Sequence, residues 1–99
     1  MVAKILIKRR FKKGKTPEIL SLLNDFRSGA LKQEGYISGA TLVARDDPHK
    51  VLVIGTWQTM EHWLAWKESD TRKSFEDMLE IFQEGPTEYE EYFLGTPSI

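Results

Sequence analysis

The chain opens on an alternation. In "AKILIKRRF" (3–11), Ile5, Ile7 and Phe11 fall on one face while Leu6 sits among cations on the other, which predicts a β-strand. "KKGK" is a turn, and "TPE" opens a helix with Thr16 at the N-cap, Pro17 at N1 and Glu18 in the positively polarised first turn. The period then becomes helical, with Ile19, Leu22, Leu23, Phe26 and Ala30 forming one apolar stripe. Gly29 is a weak point that costs up to ~1 kcal/mol inside a helix. Gly35 is expected to end the helix as its C′ residue.

"YISGATLVAR" (36–45) and "KVLVIGTW" (50–57) are rich in β-branched and aromatic residues and flank the turn formers of "DDPH". They predict a hairpin. Thr59 can cap a short helix over 60–67, and Ser69 or Asp70 a following one whose Phe75, Met78, Leu79 and Phe82 recur at i, i+3, i+4 and i+7. "EGP" stops that helix, and "TEYEEYFL" (87–94) is a last strand. The order is β-α-β-β-α-β, the split arrangement of ferredoxin-like α+β folds, with helices on one face of a four-stranded antiparallel sheet. One domain over 1–99 is expected, with its core at about 4–94 and a short tail at 95–99 that carries little signal.

The second hairpin strand adds a partner to this picture. Val51, Val53 and Trp57 point one way and Leu52 and Ile54 the other, so the strand is apolar on both faces. Such a strand is normally covered on both. One helical layer covers only one face, which predicts a homodimer packed through its sheet faces. An RNA-binding face is the competing use of this topology, but it needs stacking aromatics on the two central strands. Leu6, Lys8, Leu52 and Ile54 stand there instead.

Composition narrows the classes further. Forty per cent hydrophobic and 29% charged residues are ordinary for a globular chain. A net charge of −1 gives no reason to expect a nucleic-acid partner. No apolar run reaches the ~20 residues of a membrane helix, and the opening apolar core is too short for a signal peptide. The absence of cysteine removes disulfides, thiolate metal sites and a thiol nucleophile, and it fits a cytoplasmic location. Six basic side chains crowd residues 8–15, against ten acidic and three basic over 61–91. The simplest account is a solvated strand end balanced by acidic elements nearby. There is no G-x-G-x-x-G, no Walker loop and no metal-spaced cluster, so neither a cofactor nor a metal is expected.

All three tryptophans and one of the two histidines lie in "TWQTMEHWLAWKESD" (56–70). With its neighbours, the run "GYISGATLVARDDPHKVLVIGTWQTMEHWLAW" resembles the antibiotic biosynthesis monooxygenase domain family, which forms dimeric α/β barrels. The resemblance rests on a strand ending in Trp57, then Thr59, Glu61, Trp63 and Trp66 on the next helix, with the Gly-Tyr-Ile-Ser run at 35–38 matching the start of the second strand. It extends from about Lys4 to Leu94. Members of the superfamily differ in activity. A haem-degrading branch needs an Asn on the first strand, a pocket Trp and an iron-ligating His; the matching positions here hold Ile7, Trp66 and Glu76. With no imidazole there, iron has no axial ligand, and haem degradation is disfavoured. The quinone-forming branch implies instead a cofactor-independent oxidation of a small phenol or quinol by O2. In such a reaction the protein strips water from a flat substrate, orients it and favours its ionised form. The alternative is a non-catalytic dimer of the same fold that binds or senses a small ligand.

The candidate site follows. On a helix over 60–67, Met60, Trp63 and Leu64 share the sheet-facing side, and His62 and Trp66 lie about 40° apart on its shoulder. Trp63 is a core residue. Trp66 is the candidate pocket tryptophan, both from that placement and from the resemblance. His62 is a candidate base, because imidazole titrates in a range suited to taking a proton from a phenol, or it is a half-buried residue near a helix start. Arg9 shares the face of Ile5, Ile7 and Phe11, where a guanidinium can hold an enolate oxygen or else snorkel to water at the strand end. Ile7, Leu23, Phe26, Phe75 and Leu79 are expected to line the remainder of a cleft between helices and sheet. Tyr36, Tyr89 and Tyr92 each offer a hydroxyl, and nothing in the sequence selects among them.

Overall fold

Alternation in the first strand decides which side of the sheet is covered. In the computed structural model, which describes residues 1–95, β1 (Ala3–Arg10) buries Ala3, Ile5, Ile7 and Arg9 and leaves Lys4, Leu6 and Lys8 half-buried on the other side. Beyond Gly95, the expected tail lies outside the described residues. The chain continues through α1 (Thr16–Leu31), β2 (Tyr36–Val43), β3 (Lys50–Trp57), α2 (Met60–Lys67), α3 (Asp70–Glu80) and β4 (Glu88–Phe93). The four strands form one antiparallel sheet in the order β2-β3-β1-β4. This is the expected α+β, ferredoxin-like arrangement, with the second helical region split in two.

Local chemistry sets the boundaries. Thr59 accepts a hydrogen bond from the His62 amide at 3.2 Å and Ser69 one from the Arg72 amide at 3.2 Å, so α2 and α3 start at capping residues. The first helix differs from expectation. Lys15, with no capping side-chain bond, precedes it, and Thr16 is already helical. It also ends at Leu31, too early for Gly35 to be its C′ residue. Gly35 instead takes φ +85° in the turn into β2, where a Cβ would overlap the His62 ring. Gly29 is inside the helix after all. A methyl there would stand 3.2 Å from Trp66 and 3.3 Å from Phe75, so the glycine lets α2 and α3 approach α1.

The core lies between the helices and one sheet face, built on Ile5, Trp57, Trp63 and Leu79, the largest fully buried side chains. Two expected core positions face outward: Leu64 on α2 and Met78 on α3 are 40% and 41% exposed. The inner face of α2 is Trp63 and Trp66, and that of α3 is Arg72, Glu76 and Leu79. The basic run near the end of β1 is balanced across the surface, with Lys8 paired to Glu90 and Arg10 to Asp47 and Glu84.

Candidate active site

Two glycines make the cleft possible. Gly39 of β2 and Gly55 of β3 are cross-strand partners, and neither puts a side chain on the helix-facing side. The Tyr36 hydroxyl reaches into this gap, since a Cβ on Gly39 would come within 2.5 Å of it. Over it sits a cleft with a cavity volume of about 80 Å³ that opens to solvent. Its walls include five aromatic rings, those of Phe26 on α1 and of Tyr36, Trp57, Trp63 and Trp66. Near its mouth Arg27 donates to the Gly39 carbonyl at 3.0 Å and ties α1 to the β2 edge.

The rings form two connected sets. Tyr36 meets Trp57 edge-on at 5.2 Å between centroids, Trp57 leads to Trp63 at 6.0 Å, and Trp63 to Tyr89 at 6.2 Å. Trp66 approaches Phe26 edge-on at 6.2 Å, and Phe75 stacks behind Phe26 at 5.1 Å. The Trp63 indole N–H donates to Glu91 at 2.5 Å, and Lys67 joins the same carboxylate at 3.1 Å. The Trp63 bond, with Lys67 adding to it against some burial, holds the Glu91 carboxyl below the usual range.

Buried charge lies beneath these walls. Arg9 and Arg72 are 4% and 2% exposed, and both line the cleft. Arg9 Nη2 donates to Glu76 Oε1 at 2.6 Å, and Arg72 Nη2 lies 3.8 Å from the same oxygen. Thr87 donates its hydroxyl to the other oxygen of Glu76 and receives a bond from Gln83 at 3.0 Å. Burial pushes the Glu76 carboxyl up, but the Arg9 charge and hydrogen bond, the Thr87 bond and Arg72 outweigh it, and the net direction is downward. The Arg72 guanidinium also lies 5.1 Å from the Phe26 and Trp63 ring centres and 5.2 Å from that of Tyr89, and it donates to the Tyr89 hydroxyl at 2.9 Å. These cation–π contacts let a guanidinium leave water while keeping its charge.

The structure brings together most of the residues the sequence singled out. Ile7, Arg9, Leu23, Phe26 and Trp66 line the cleft. Phe75 and Leu79 stand behind that lining, Phe75 against Phe26 and Leu79 wholly buried. Arg9 does not snorkel: the Glu76 carboxylate one layer away draws its head inward. His62 lies outside the cleft lining, its Nδ1 2.8 Å from Thr59 Oγ1 and its ring against Gly35. Trp63 is a cleft wall as well as a core residue. Of the three tyrosines, Tyr36 reaches the cleft and Tyr89 reaches Arg72. Sequence reasoning missed Arg72 altogether and took Glu76 only as a replaced ligand. The available signal was their spacing from Leu79, two turns and one turn before it, which puts all three on one helix face.

Among the described residues, no three His, Cys, Asp or Glu side chains cluster as a metal site would require, and no helix is long and apolar enough to cross a membrane. The family profile for antibiotic biosynthesis monooxygenase matches residues 3–78. No curated protein sequence matches the chain. Several solved structures share its fold. A conserved protein from Methanosarcina mazei Go1 is 21% identical and superposes with a TM-score of 0.86, over 93% of this chain and 91% of that one. SnoaB, a cofactor-independent oxygenase from Streptomyces nogalater, is 12% identical with a TM-score of 0.84, over 98% and 96%. The Rv0793 protein of Mycobacterium tuberculosis is 7% identical with a TM-score of 0.84, over the full length of both chains.

Proposed function

Since the chain belongs to the antibiotic biosynthesis monooxygenase family, we propose that it is a cofactor-independent monooxygenase that oxidises a small phenolic or quinol-type aromatic with O2. The observation that carries this reading is the aromatic-walled cleft with two buried guanidiniums and a single carboxylate between them. In the reaction, a phenol with a free para carbon becomes a quinone. The ring loses the para hydrogen and the hydroxyl proton and supplies the electrons that reduce O2. One oxygen atom stays as the new carbonyl and the other leaves as water. Ionising the phenol makes the ring a better electron donor, and fixed positive charge in a water-poor site favours that form. Trp66, Phe26, Ile7 and Leu23 would hold the ring flat, and Arg9 and Arg72 would face its oxygen. SnoaB, described as a cofactor-independent oxygenase, supports the chemistry by analogy of fold.

A second reading, a dimer that binds an aromatic without turnover, is favoured by one specific feature. Among the described residues lining the cleft there is no carboxylate and no imidazole, so no side chain there is a ready base. Oxygen uptake with a panel of hydroquinones and naphthols separates the two. Consumption of O2 with appearance of a quinone supports the oxygenase. Saturable quenching of tryptophan fluorescence by the same compounds, with no oxygen consumed, overturns it in favour of the binding protein.

The proposed active form is a homodimer joined through the uncovered sheet face. Leu6, Leu52 and Ile54 are half-buried there, and Leu42 is 46% exposed beside Leu52. An apolar sheet surface of this kind is normally covered. Sedimentation that gives a monomer at micromolar concentration would refute the dimer.

A further inference from the structure

A β-bulge turns one tyrosine of β2 toward the cleft. Tyr36 pairs with Trp57, Ser38 already pairs with Thr56, and Gly39 pairs with Gly55, so Ile37 is the extra residue. In a regular strand, residues three apart point to opposite faces; the bulge puts Tyr36 and Gly39 on the same one, and both line the cleft. The Tyr36 ring is held edge-on against Trp57, 5.2 Å between centroids. Its hydroxyl takes the place of a side chain on residue 39, 2.5 Å from that Cβ position, with the ring carbon Cζ 3.6 Å away. The other two tyrosines have engaged hydroxyls: Tyr89 accepts from Arg72 at 2.9 Å, and Tyr92 donates to Glu90 at 3.2 Å. Among the described residues, none hydrogen-bonds the Tyr36 hydroxyl. Two other polar groups of the cleft wall are already taken, the Trp63 N–H by Glu91 and Arg27 by the Gly39 carbonyl. In an empty cleft, water satisfies a hydroxyl of this kind. A bare hydrocarbon ring that displaces the water leaves it unpaired, whereas a phenolic oxygen restores the bond.

Resting on the reading of this cleft as the site of an aromatic ligand, we propose that Tyr36 is its specificity-determining residue. Its hydroxyl hydrogen-bonds the oxygen of the bound phenol and holds it above the Gly39–Gly55 pair. A tyrosine hydroxyl both donates and accepts, so it serves a phenol and its ionised form alike. Arg9 and Arg72 stay engaged with Glu76 and the surrounding rings and act on that oxygen through their charge, which leaves the contact to the hydroxyl. Gly39 is part of the same arrangement, because a methyl there would overlap the hydroxyl. The aromatic walls accept a flat ring by its shape; Tyr36 separates an oxygenated ring from a bare one.

The test uses 1-naphthol and naphthalene, which share a ring system and differ by one oxygen, with dissociation constants from calorimetry. In Tyr36→Phe, which keeps the ring against Trp57, naphthol affinity should fall about three- to tenfold while naphthalene affinity holds. Gly39→Ala, whose methyl displaces the hydroxyl, should lower the ratio of the two affinities likewise. Added to Tyr36→Phe it should lower the ratio no further, because its Cβ then meets only ring carbon at 3.6 Å. A merely structural role for Tyr36 would weaken both probes together and leave the ratio where it was. An unchanged ratio in Tyr36→Phe, or no binding of either probe by wild type, overturns the proposal. If Gly39→Ala does not fold, Tyr36→Phe alone decides. Oxygen uptake with 1-naphthol separates this inference from the catalytic one. A shifted ratio without oxygen uptake sinks the oxygenase and leaves the Tyr36 contact standing. Uptake with an unchanged ratio sinks the contact alone.

Discussion

Removing Glu76 should cost more than removing its closest partner. The carboxylate bonds Arg9 at 2.6 Å with side-chain exposures of 3% and 11%, and Arg72 stands 3.8 Å away. Glu76→Leu leaves both guanidiniums buried with no counter-charge, and breaking a buried pair in this way costs about 3–5 kcal/mol. Arg9→Met leaves a carboxylate that keeps Arg72 and the Thr87 hydroxyl, so the loss is nearer that of one charge-assisted hydrogen bond, about 1.5–3 kcal/mol. In the double variant the remaining Arg72 keeps Tyr89 and its aromatic neighbours. Its cost should therefore barely exceed that of Glu76→Leu, giving a coupling energy of about 1.5–3 kcal/mol. Urea unfolding followed by tryptophan fluorescence measures all four corners of the cycle. For a domain of this size, Glu76→Leu should also lower Tm by at least about 12 °C, at about 4 °C or more per kcal/mol. Two results would refute the reasoning: Arg9→Met costing as much as Glu76→Leu, or single effects that add to within about 0.5 kcal/mol.

Further expectations rest on the same contacts. Gly29→Ala should destabilise although alanine favours a helix by about 1 kcal/mol, because its methyl meets Trp66 and Phe75 at 3.2 and 3.3 Å; a raised Tm would show that the rings yield freely. Trp63→Ala should cost about 3–5 kcal/mol in urea unfolding, as the truncation of a side chain only 1% exposed. Trp66→Phe should weaken naphthol binding while costing less than about 2 kcal/mol, and equal destabilisation by the two with intact binding would erase the distinction between them. Acid should act partly through Glu76. Its folded carboxyl lies below the ordinary 4.5, so its stabilisation is whole above that value and is lost as pH falls through the folded one. Urea midpoints taken from about pH 6 down to about pH 3 should thus fall more steeply for wild type than for Glu76→Gln, and parallel profiles would contradict it.

The fold was legible because its signals are local and redundant. Alternation in β1, the helical stripe from Ile19 to Ala30 and the caps at Thr59 and Ser69 each need only near neighbours in the chain. The misplaced details are of the opposite kind. Thr16 has the chemistry of a cap, yet the chain is already helical there and Lys15 precedes it. Gly35 has the positive φ expected of a helix terminator, but His62, distant in sequence, is what crowds it. Leu64 looked inward by spacing alone; on an eight-residue helix, two large tryptophans decide the buried face instead.

The site was legible in its apolar half and not in its charged half, and the reason is physical. An aromatic at helical spacing advertises burial by its own hydrophobicity, which is how Phe26 and Trp66 were found. Arg72 and Glu76, four apart on a helix, look in sequence like the exposed pairs that adorn most helices. What buries them is tertiary: β1 brings Arg9 to Glu76, while Phe26, Trp63 and Tyr89 close around Arg72. The cleft above them depends on the partnership of Gly39 with Gly55, a cross-strand register that neither residue carries alone. Glu76 then acquires a meaning that its sequence position concealed. Its carboxylate balances one of two buried cations, bonding Arg9 at 2.6 Å with Arg72 at 3.8 Å. The balance is partial, since one carboxylate faces two guanidiniums, and the burial that hides all three from the sequence also couples them.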